Sequence, residues 1–208
     1  NHDGSLLRAK KTIFEAKRAG ANAVKIQTYT PETMTLNCDH DDFIIKEGLW
    51  RGQTLYELYS DAHTPLDWHK DLFEYAKEIG ITLFSTAFDE SAVDLLISLD
   101  TPAFKIASFE ITDLPLLEYV GYQNKPIILS TGMASFEEVA EAIETIRKTD
   151  NKRILLLHCI SSYPAPIEDS NLNRLALLRK DFGFPVGLSD HSTGNLAASA
   201  AVAIGAVA

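Results

Sequence analysis

The chain has 208 residues, 46% of them hydrophobic, and its 19 lysines and arginines against 29 aspartates and glutamates give a formal net charge of −10. Binding to nucleic acids or to anionic membranes requires clustered cations, which so acidic a protein is not expected to have. Neither class of partner is therefore expected. Two cysteines make no disulfide framework, and no apolar run approaches the roughly 20 residues of a membrane span, which together predict a cytoplasmic setting.

Short apolar segments alternate with segments of helical periodicity along the chain. The apolar segments are nearly continuous, which is typical of strands buried on both faces of a parallel sheet. The helical segments begin at Ser or Asp caps and end at Gly or basic residues. In chain order we predict helix 5–20, strand 22–29, helix 67–80, strand 81–88, helix 89–100, strands 102–108 and 125–132, helix 135–148, strand 153–159, helix 171–182, strand 185–191 and helix 193–206.

This alternation predicts an α/β fold with a parallel sheet and right-handed crossovers. No Gly-x-Gly-x-x-Gly follows a strand, and polar residues end many separate strands, so a (β/α)8 TIM barrel is favoured over an open nucleotide-binding sheet. A complete barrel needs about 250 residues, and a seventh strand would only begin near Gly205. We therefore expect residues 1–208 to form a partial TIM-barrel domain truncated at both ends, without its first strand and most of its last.

Residues 29–66 interrupt the repeat, because they contain no buried strand and carry clusters of acidic and aromatic residues. A connection of this length in a barrel often acts as a lid or a substrate wall. A surface helical insertion explains the segment equally well, and the sequence leaves both interpretations open.

Two lysines, Lys25 in AVKIQT and Lys105 in FKIAS, lie within or at the end of predicted buried strands. Lysine is rarely buried without a partner, so the pair indicates a cationic site for phosphate or carboxylate, or a Schiff-base nucleophile. The alternative is that both side chains extend along apolar surface to reach solvent.

Hydroxyl side chains end several of the predicted strands. Hydroxyls and backbone amides at these positions commonly bind phosphate in barrels, although any single one is more often a strand-terminating cap. The set comprises Thr86, Ser108, Ser130 and Ser189.

The segment GLSDHSTGN places Asp190 and His191 at the end of a predicted strand. Metal binding normally needs two or more ligands, and a lone histidine is more often structural. His158 is a second candidate, but it precedes the strand end by one residue and can face the helices, whereas Cys159 can face inward. The residues alone thus give one good metal ligand and an incomplete site.

A series of motifs in order along almost the whole chain resembles the sialic acid synthase family. The motifs are NHDGS, AGANAVKIQTY, FSTAFD, PAFKIASFE, KPIILSTGM, LLHCISSYPAP and GLSDHSTG. Members of this family condense phosphoenolpyruvate with an N-acetylated amino sugar to form a nonulosonic acid and release phosphate. The stretch EGLWRGQTLYELYSDAHTP is most similar to the branch that makes pseudaminic acid.

The resemblance implies a (β/α)8 barrel followed by a C-terminal antifreeze-like domain, absent from this chain, that is swapped within a homodimer. It implies that His191 binds a divalent metal, usually manganese, whose second histidine ligand lies beyond the chain end. It also implies that an asparagine of sialic acid synthases is replaced by Ser161, as is compatible with the pseudaminic branch. The site residues carried over are Lys25, Lys105, Thr86, Ser108, Ser130 and Ser189 for phosphoenolpyruvate, Gln27 and Tyr163 for the sugar, and Ser161 and Asp190 beside them.

The expected protein is therefore a phosphoenolpyruvate-dependent nonulosonic acid synthase whose catalytic residues Lys25, Lys105 and His191 line one mouth. A first-strand glutamate of the family would precede the chain, so little activity is expected of the chain alone. Two alternatives stay open: a class I aldolase that forms a Schiff base, and a non-catalytic barrel that binds sugar phosphates.

Overall fold

The computed structural model describes residues 2–48 and 50–208. Asn1 of the motif NHDGS and Leu49 of the motif EGLW lie outside the described residues. The chain forms two compact units, residues 1–102 and residues 103–208.

In the first unit two parallel strands alternate with helices. Strand β1 (Ala23–Thr28) pairs with β2 (Thr82–Ala87), so that Lys25 lies opposite Phe84 and Gln27 lies opposite Thr86. The helices are α1 (Leu6–Arg18), α2 (Pro31–Met34), α3 (Leu55–Ala62), α4 (Trp68–Ile79) and α5 (Glu90–Ser98), with a 3-10 turn at Asp41–Phe43.

Capping residues fix the ends of these helices. The Ser5 side chain accepts a hydrogen bond from the Arg8 amide at the start of α1, and Asp89 caps α5 in the same way through Ala92. Helix α4 ends at Gly80, which adopts the left-handed conformation with φ 71°. The apolar sides of α1 and α4 form a buried core with the start of β2: Ala9, Ile13, Leu72, Ala76, Ile81 and Leu83.

The second unit contains four parallel strands in sequence order. These are β3 (Phe104–Ile106), β4 (Ile127–Ser130), β5 (Ile154–Cys159) and β6 (Val186–Ser189), and each pairs with the next. The helices are α6 (Leu114–Tyr122), α7 (Phe136–Lys148), α8 (Asn173–Phe182) and α9 (Leu196–Ala203), with 3-10 turns at Ser108–Thr112 and Ile167–Asp169.

The predicted strands and the parallel α/β arrangement within each unit are confirmed. Helix α6 was not predicted, because its apolar residues surround the helix and no single face repeats. It forms because Asp113 caps the Leu116 amide and Pro115 lies in the first turn, where no amide donor is needed. Closure into a (β/α)8 barrel and truncation at both ends stay predictions.

The segment that follows α9 runs beside β6. Val207 donates its amide to the Val186 carbonyl at 3.0 Å, and the Leu188 amide donates to the Ala208 carbonyl at 2.9 Å. These bonds fit the expectation that a further strand begins near Gly205, although residues 206–208 are not a regular strand.

The connection 29–66 contains helices α2 and α3 and an isolated antiparallel bridge between Ile44 and Thr54. In its described part, 29–48 and 50–66, no regular strand other than this bridge occurs, as predicted. Over the residues that the structure describes, no helix is both long enough and apolar enough to cross a membrane.

Candidate active site

Lys105 and Ser130 form the centre of a polar cluster in the second unit. They lie on the neighbouring strands β3 and β4, and only 6% of Lys105 and 2% of Ser130 is exposed. The Lys105 ammonium donates to Ser130 Oγ at 2.6 Å and to the Ile106 carbonyl at 2.6 Å. Both acceptors are uncharged oxygens, and an ammonium held beside a hydroxyl group is a group that can bind the phosphate or carboxylate of a ligand.

The loop after β4 brings a backbone amide and two further hydroxyls together at Gly132. Its amide donates to Ser108 Oγ at 3.2 Å. A methyl group on Gly132 would lie 2.5 Å from Ser161 Oγ and 2.8 Å from Ser108 Oγ, so the close approach requires glycine. The next residue, Met133, adopts φ 67°, an uncommon backbone conformation that the surrounding contacts must hold in place.

His191 is held in a defined orientation at the end of β6. Its Nδ1 lies 2.9 Å from the Ile160 carbonyl, which can only accept, so Nδ1 carries the proton. Its Nε2 then has a free lone pair and lies 3.4 Å from Ser189 Oγ. The Tyr163 ring packs on the imidazole at a centroid distance of 4.3 Å, and Cys159 Sγ lies 3.7 Å from Nδ1.

The donor chemistry of His191 fits the role of one metal ligand. Metal-bound histidines usually donate their second ring N–H to a carbonyl or carboxylate, as Nδ1 does here. Within residues 2–48 and 50–208 no group of three or more His, Cys, Asp or Glu side chains is placed to hold an ion. Manganese binding therefore stays a prediction, with His191 as its one candidate ligand.

Asp190 takes part in a turn. Its Oδ1 accepts hydrogen bonds from the Ser192 hydroxyl at 2.7 Å and the Ser192 amide at 2.9 Å. These bonds hold the pKa of Asp190 below its usual value. The contacts thus give Asp190 a structural role after β6, and substrate binding by Asp190 stays a prediction.

His158 and Cys159, at the end of β5, have different surroundings. His158 is 2% exposed and its Nε2 lies 2.8 Å from the Ser170 carbonyl, away from His191. Burial lowers the pKa of His158. Cys159 contacts His191 instead, so Cys159 and not His158 is the neighbour of the predicted metal ligand.

In the first unit, Lys25 and Thr86 make a second contact between a lysine and a hydroxyl. Lys25 Nζ donates to Thr86 Oγ1 at 3.2 Å. The expectation of a buried lysine is confirmed for Lys105 and wrong for Lys25, which lies on the exposed side of β1 together with Gln27. The ammonium itself lies among protein atoms, and this desolvation lowers the pKa of Lys25.

The connection 29–66 contributes to the surroundings of these side chains. A cleft of about 350 Å³ has Lys25, Gln27 and Thr64 in its lining. The end of the connection therefore borders two predicted site residues, as a substrate wall would, whereas its helices α2 and α3 are equally expected of a surface helical insertion. That Lys25, Lys105 and His191 line a single mouth stays a prediction.

Glu110, which lies in the 3-10 turn after β3, was not predicted from the sequence. Its Oε2 is buried and has no hydrogen-bond partner among the described residues. Burial raises the pKa of Glu110, whereas its own backbone amide and the charge of Lys105 oppose the rise. The only sequence signal was an acidic residue two positions beyond Ser108 in KIASFE.

A family model and several curated relatives match the chain. The model described as the NeuB family matches residues 12–208. The chain is 48% identical to pseudaminic acid synthases of Helicobacter pylori and Campylobacter jejuni over 99% of its length, and it covers 61% and 60% of those proteins. It is 38% identical to the N,N'-diacetyllegionaminic acid synthase of Legionella pneumophila over 99% of its length and 59% of that protein. The chain thus spans about three fifths of the length of these relatives.

Solved structures share the fold. An N-acetylneuraminic acid synthetase from Leptospira borgpetersenii, crystallised with citrate, matches with a TM-score of 0.87 and 33% identity, over 99% of this chain and 67% of that one. The spore coat polysaccharide biosynthesis protein SpsE of Bacillus subtilis matches with a TM-score of 0.81 and 39% identity, over 99% and 55%.

Proposed function

The chain belongs to the NeuB family, and from this membership we propose that it is part of an enzyme that condenses phosphoenolpyruvate with an N-acetylated amino sugar. The product would be a nonulosonic acid, and inorganic phosphate would be released. Relatives named as synthases of such acids align with 99% of the chain and support the proposal. Because the chain covers about 60% of these proteins, the proposal concerns the whole protein that contains it.

The observation that carries the proposal is the contact between the buried Lys105 ammonium and Ser130 Oγ at 2.6 Å, beside the loop of Gly132. Phosphoenolpyruvate carries a phosphate and a carboxylate. A buried cation, hydroxyl groups and a glycine loop that admits a ligand close to the backbone form a suitable receptor for such groups. Binding in this setting would orient the enol toward the aldehyde of the sugar.

The proposed reaction forms one carbon–carbon bond, and it replaces the bond between carbon 2 and the phosphate oxygen by a bond between carbon 2 and the oxygen of water. Carbon 3 of phosphoenolpyruvate attacks the aldehyde carbon of the open-chain sugar, which becomes an alcohol. Water adds to carbon 2, and phosphate leaves from the resulting tetrahedral intermediate. Lys105, Ser108 and Ser130 would hold the anionic groups, and Lys25 with Thr86 would supply a second cation and hydroxyl.

Metal binding and assembly are part of the same proposal. His191 would be one ligand of a divalent ion, manganese by family resemblance, through the lone pair of Nε2. Such an ion would supply Lewis-acid polarisation of the aldehyde. A cytoplasmic location and a homodimer that swaps an antifreeze-like domain are proposed for the whole protein on the same resemblance.

The acceptor we favour is a 2,4-diacetamido-6-deoxy sugar, because the identity to pseudaminic acid synthases is 48%. The test measures phosphate release by the whole protein with phosphoenolpyruvate and manganese, comparing this sugar with N-acetylmannosamine. We expect faster release with the diacetamido sugar. Release with neither sugar would contradict the proposal, and ligand binding without release would favour the non-catalytic barrel.

A class I aldolase remains the second candidate, because desolvation lowers the pKa of Lys25 as a Schiff-base lysine requires. The deciding experiment treats the protein with pyruvate and borohydride and analyses the peptides by mass spectrometry. An adduct on Lys25 or Lys105 would support the aldolase. Its absence, together with phosphate release, would leave the condensation.

A further inference from the structure

His158, in the motif LLHC on β5, is a buried histidine to which the proposed reaction assigns no role. Its Nε2 lies 2.8 Å from the Ser170 carbonyl, which can only accept, so Nε2 carries a proton. Burial lowers the pKa of His158 and the charge of Arg174 lowers it further, whereas the Ser170 carbonyl opposes the decrease. The imidazole is therefore neutral at neutral pH, and it donates its single N–H to Ser170.

Ser170 belongs to the segment between β5 and α8, which we call the β5–α8 loop (residues 160–172). Within these residues, all of which the structure describes, Ala165 is the one buried residue, and residues 162–164 and 166–169 are exposed. Apolar burial therefore contributes little to the conformation of the loop. Its conformation depends instead on hydrogen bonds to the strands beside it.

The first half of the loop is attached to His191. The Ile160 carbonyl accepts from His191 Nδ1 at 2.9 Å, and the Ala165 amide donates to the His191 carbonyl at 2.9 Å. Between these two bonds the Tyr163 ring packs on the imidazole at a centroid distance of 4.3 Å. The position of Tyr163, which is assigned to the sugar, thus depends on the conformation of the loop.

The second half of the loop is attached to β5 through His158. The Ser170 hydroxyl donates to the Ile167 carbonyl at 2.6 Å and closes the 3-10 turn Ile167–Asp169. The Ser170 carbonyl accepts from His158 on the strand from which the loop starts. The bond from His158 therefore holds the far end of the loop, while the contacts with His191 hold its beginning.

Resting on the proposed function, we propose that His158 is a positioning residue that anchors the β5–α8 loop and thereby holds Tyr163 in place for the acceptor sugar. Without this anchor the free loop would sample more conformations, and sugar binding would have to order it, which weakens the apparent affinity. Phosphoenolpyruvate is assigned mainly to residues outside the loop, such as Lys105 and Ser130. The Michaelis constants of the two substrates should therefore respond differently to the loss of His158.

The test compares two substitutions that differ in their ability to donate a hydrogen bond. The side chain of His158→Gln can donate an amide N–H to Ser170, whereas that of His158→Met has a similar length and no donor. The control is Asn151→Leu, at the opposite end of β5. Asn151 is 1% exposed and donates to the Lys125 carbonyl at 2.8 Å, so the control also removes a buried hydrogen bond to a backbone carbonyl.

Phosphate release by the whole protein gives the Michaelis constants. We expect His158→Met to raise the KM for the sugar about threefold to tenfold, the range for one lost hydrogen bond between uncharged groups. His158→Gln should restore most of this loss, and the KM for phosphoenolpyruvate should stay within about twofold of wild type in both variants. Asn151→Leu should lower the melting temperature and leave both Michaelis constants close to those of wild type.

Hydrogen exchange in the ligand-free protein measures the loop directly and does not depend on the reaction. The Ala165 amide, which donates to the His191 carbonyl, should exchange faster in His158→Met than in wild type or His158→Gln. In Asn151→Leu the exchange of this amide should match wild type.

Three results would overturn the role of His158 while leaving the proposed function intact. They are an equal KM for the sugar in His158→Met and His158→Gln, an equal rise in both Michaelis constants, and exchange of the Ala165 amide that is the same in His158→Met as in wild type. If wild-type protein releases no phosphate with any N-acetylated sugar, the proposed function fails. Faster exchange of Ala165 in His158→Met would then still support the anchoring of the loop.

Discussion

The Lys105 ammonium lies 2.6 Å from the hydroxyl oxygen of Ser130 on the neighbouring strand, and both side chains are almost completely buried. Replacement of Lys105 by Met keeps an unbranched side chain, one atom shorter, and removes its charge. We expect kcat/KM for phosphoenolpyruvate to fall about 10- to 100-fold, because a buried hydrogen bond to a charged group is lost. The control is Lys148→Met at the exposed end of α7, and equal activity of the two variants would remove the role of Lys105.

Gly132 is predicted to tolerate no side chain. In Gly132→Ala the new methyl would meet Ser161 Oγ at 2.5 Å and Ser108 Oγ at 2.8 Å, so one of the three elements has to move. We expect a loss of about 1–3 kcal/mol in the free energy of unfolding, as is typical of overpacking. Affinity for phosphoenolpyruvate should also weaken. Urea denaturation and calorimetric titration measure the two effects, and wild-type values for both would show that the loop is not tightly packed.

His69 is predicted to make stability depend on pH. It is fully buried, with Nε2 2.8 Å from Thr28 Oγ1 and Nδ1 3.1 Å from the Pro65 carbonyl. Desolvation lowers the pKa of His69 below 6.5, more than its carbonyl contacts raise it. As the pH falls, His69 of the unfolded chain therefore binds a proton at a higher pH than His69 of the folded protein does. The free energy of unfolding decreases as the pH falls below about 6.5, and the decrease ends once the pH is below the pKa of His69 in the folded state.

The measurement is urea denaturation of wild type, His69→Gln and the exposed control His40→Gln between pH 8 and pH 5. Wild type and His40→Gln should lose stability toward pH 5, and the loss should be smaller in His69→Gln. Because burial also lowers the pKa of His158, some pH dependence should remain in that variant. Equal slopes in all three proteins would refute the prediction.

His191→Ala is predicted to abolish metal-dependent turnover. The substitution removes the Nε2 lone pair that the Nδ1 bond to the Ile160 carbonyl leaves available. We expect activation by manganese to fall at least about 100-fold, because a direct ligand should matter at least as much as the outer groups that orient such ligands. Manganese titration of phosphate release measures the effect, and unchanged activation would exclude His191 as a ligand.

Sequence patterns predicted the elements of the fold well where burial alone determines them. The strands around Lys105, Ser130 and Cys159 are short apolar runs, and a strand buried on both faces leaves that signature. Helix α6 was not predicted from the sequence, because a helix that is buried on most sides has no periodic polar face. The exposed position of Lys25 was not predicted, because the alternation of side chains along a strand does not indicate which face of β1 is packed against other residues.

Part of the candidate site could be predicted from the ends of the strands, and part depends on contacts in the folded chain. The contacts of Lys25 with Thr86 and of Lys105 with Ser130 join residues that the sequence singled out, because neighbouring parallel strands bring their carboxyl ends to one edge. Glu110 was not found, because nothing in the sequence shows that its Oε2 is buried without a partner among the described residues. The glycine of STGM was noted beside the hydroxyls, but its close approach to Ser161 and Ser108 depends on the folded chain. Asp190 was assigned from its position beside His191, and only the structure reveals its bonds to Ser192.

The most direct test of the proposed condensation follows the bridging oxygen of phosphoenolpyruvate. The whole protein is incubated with phosphoenolpyruvate labelled with ¹⁸O at the oxygen between carbon 2 and phosphorus, together with manganese and the diacetamido sugar. Addition of water at carbon 2 breaks the carbon–oxygen bond, so the released phosphate should carry the label. Unlabelled phosphate, which requires cleavage between oxygen and phosphorus, or release that does not depend on the sugar, would contradict the account.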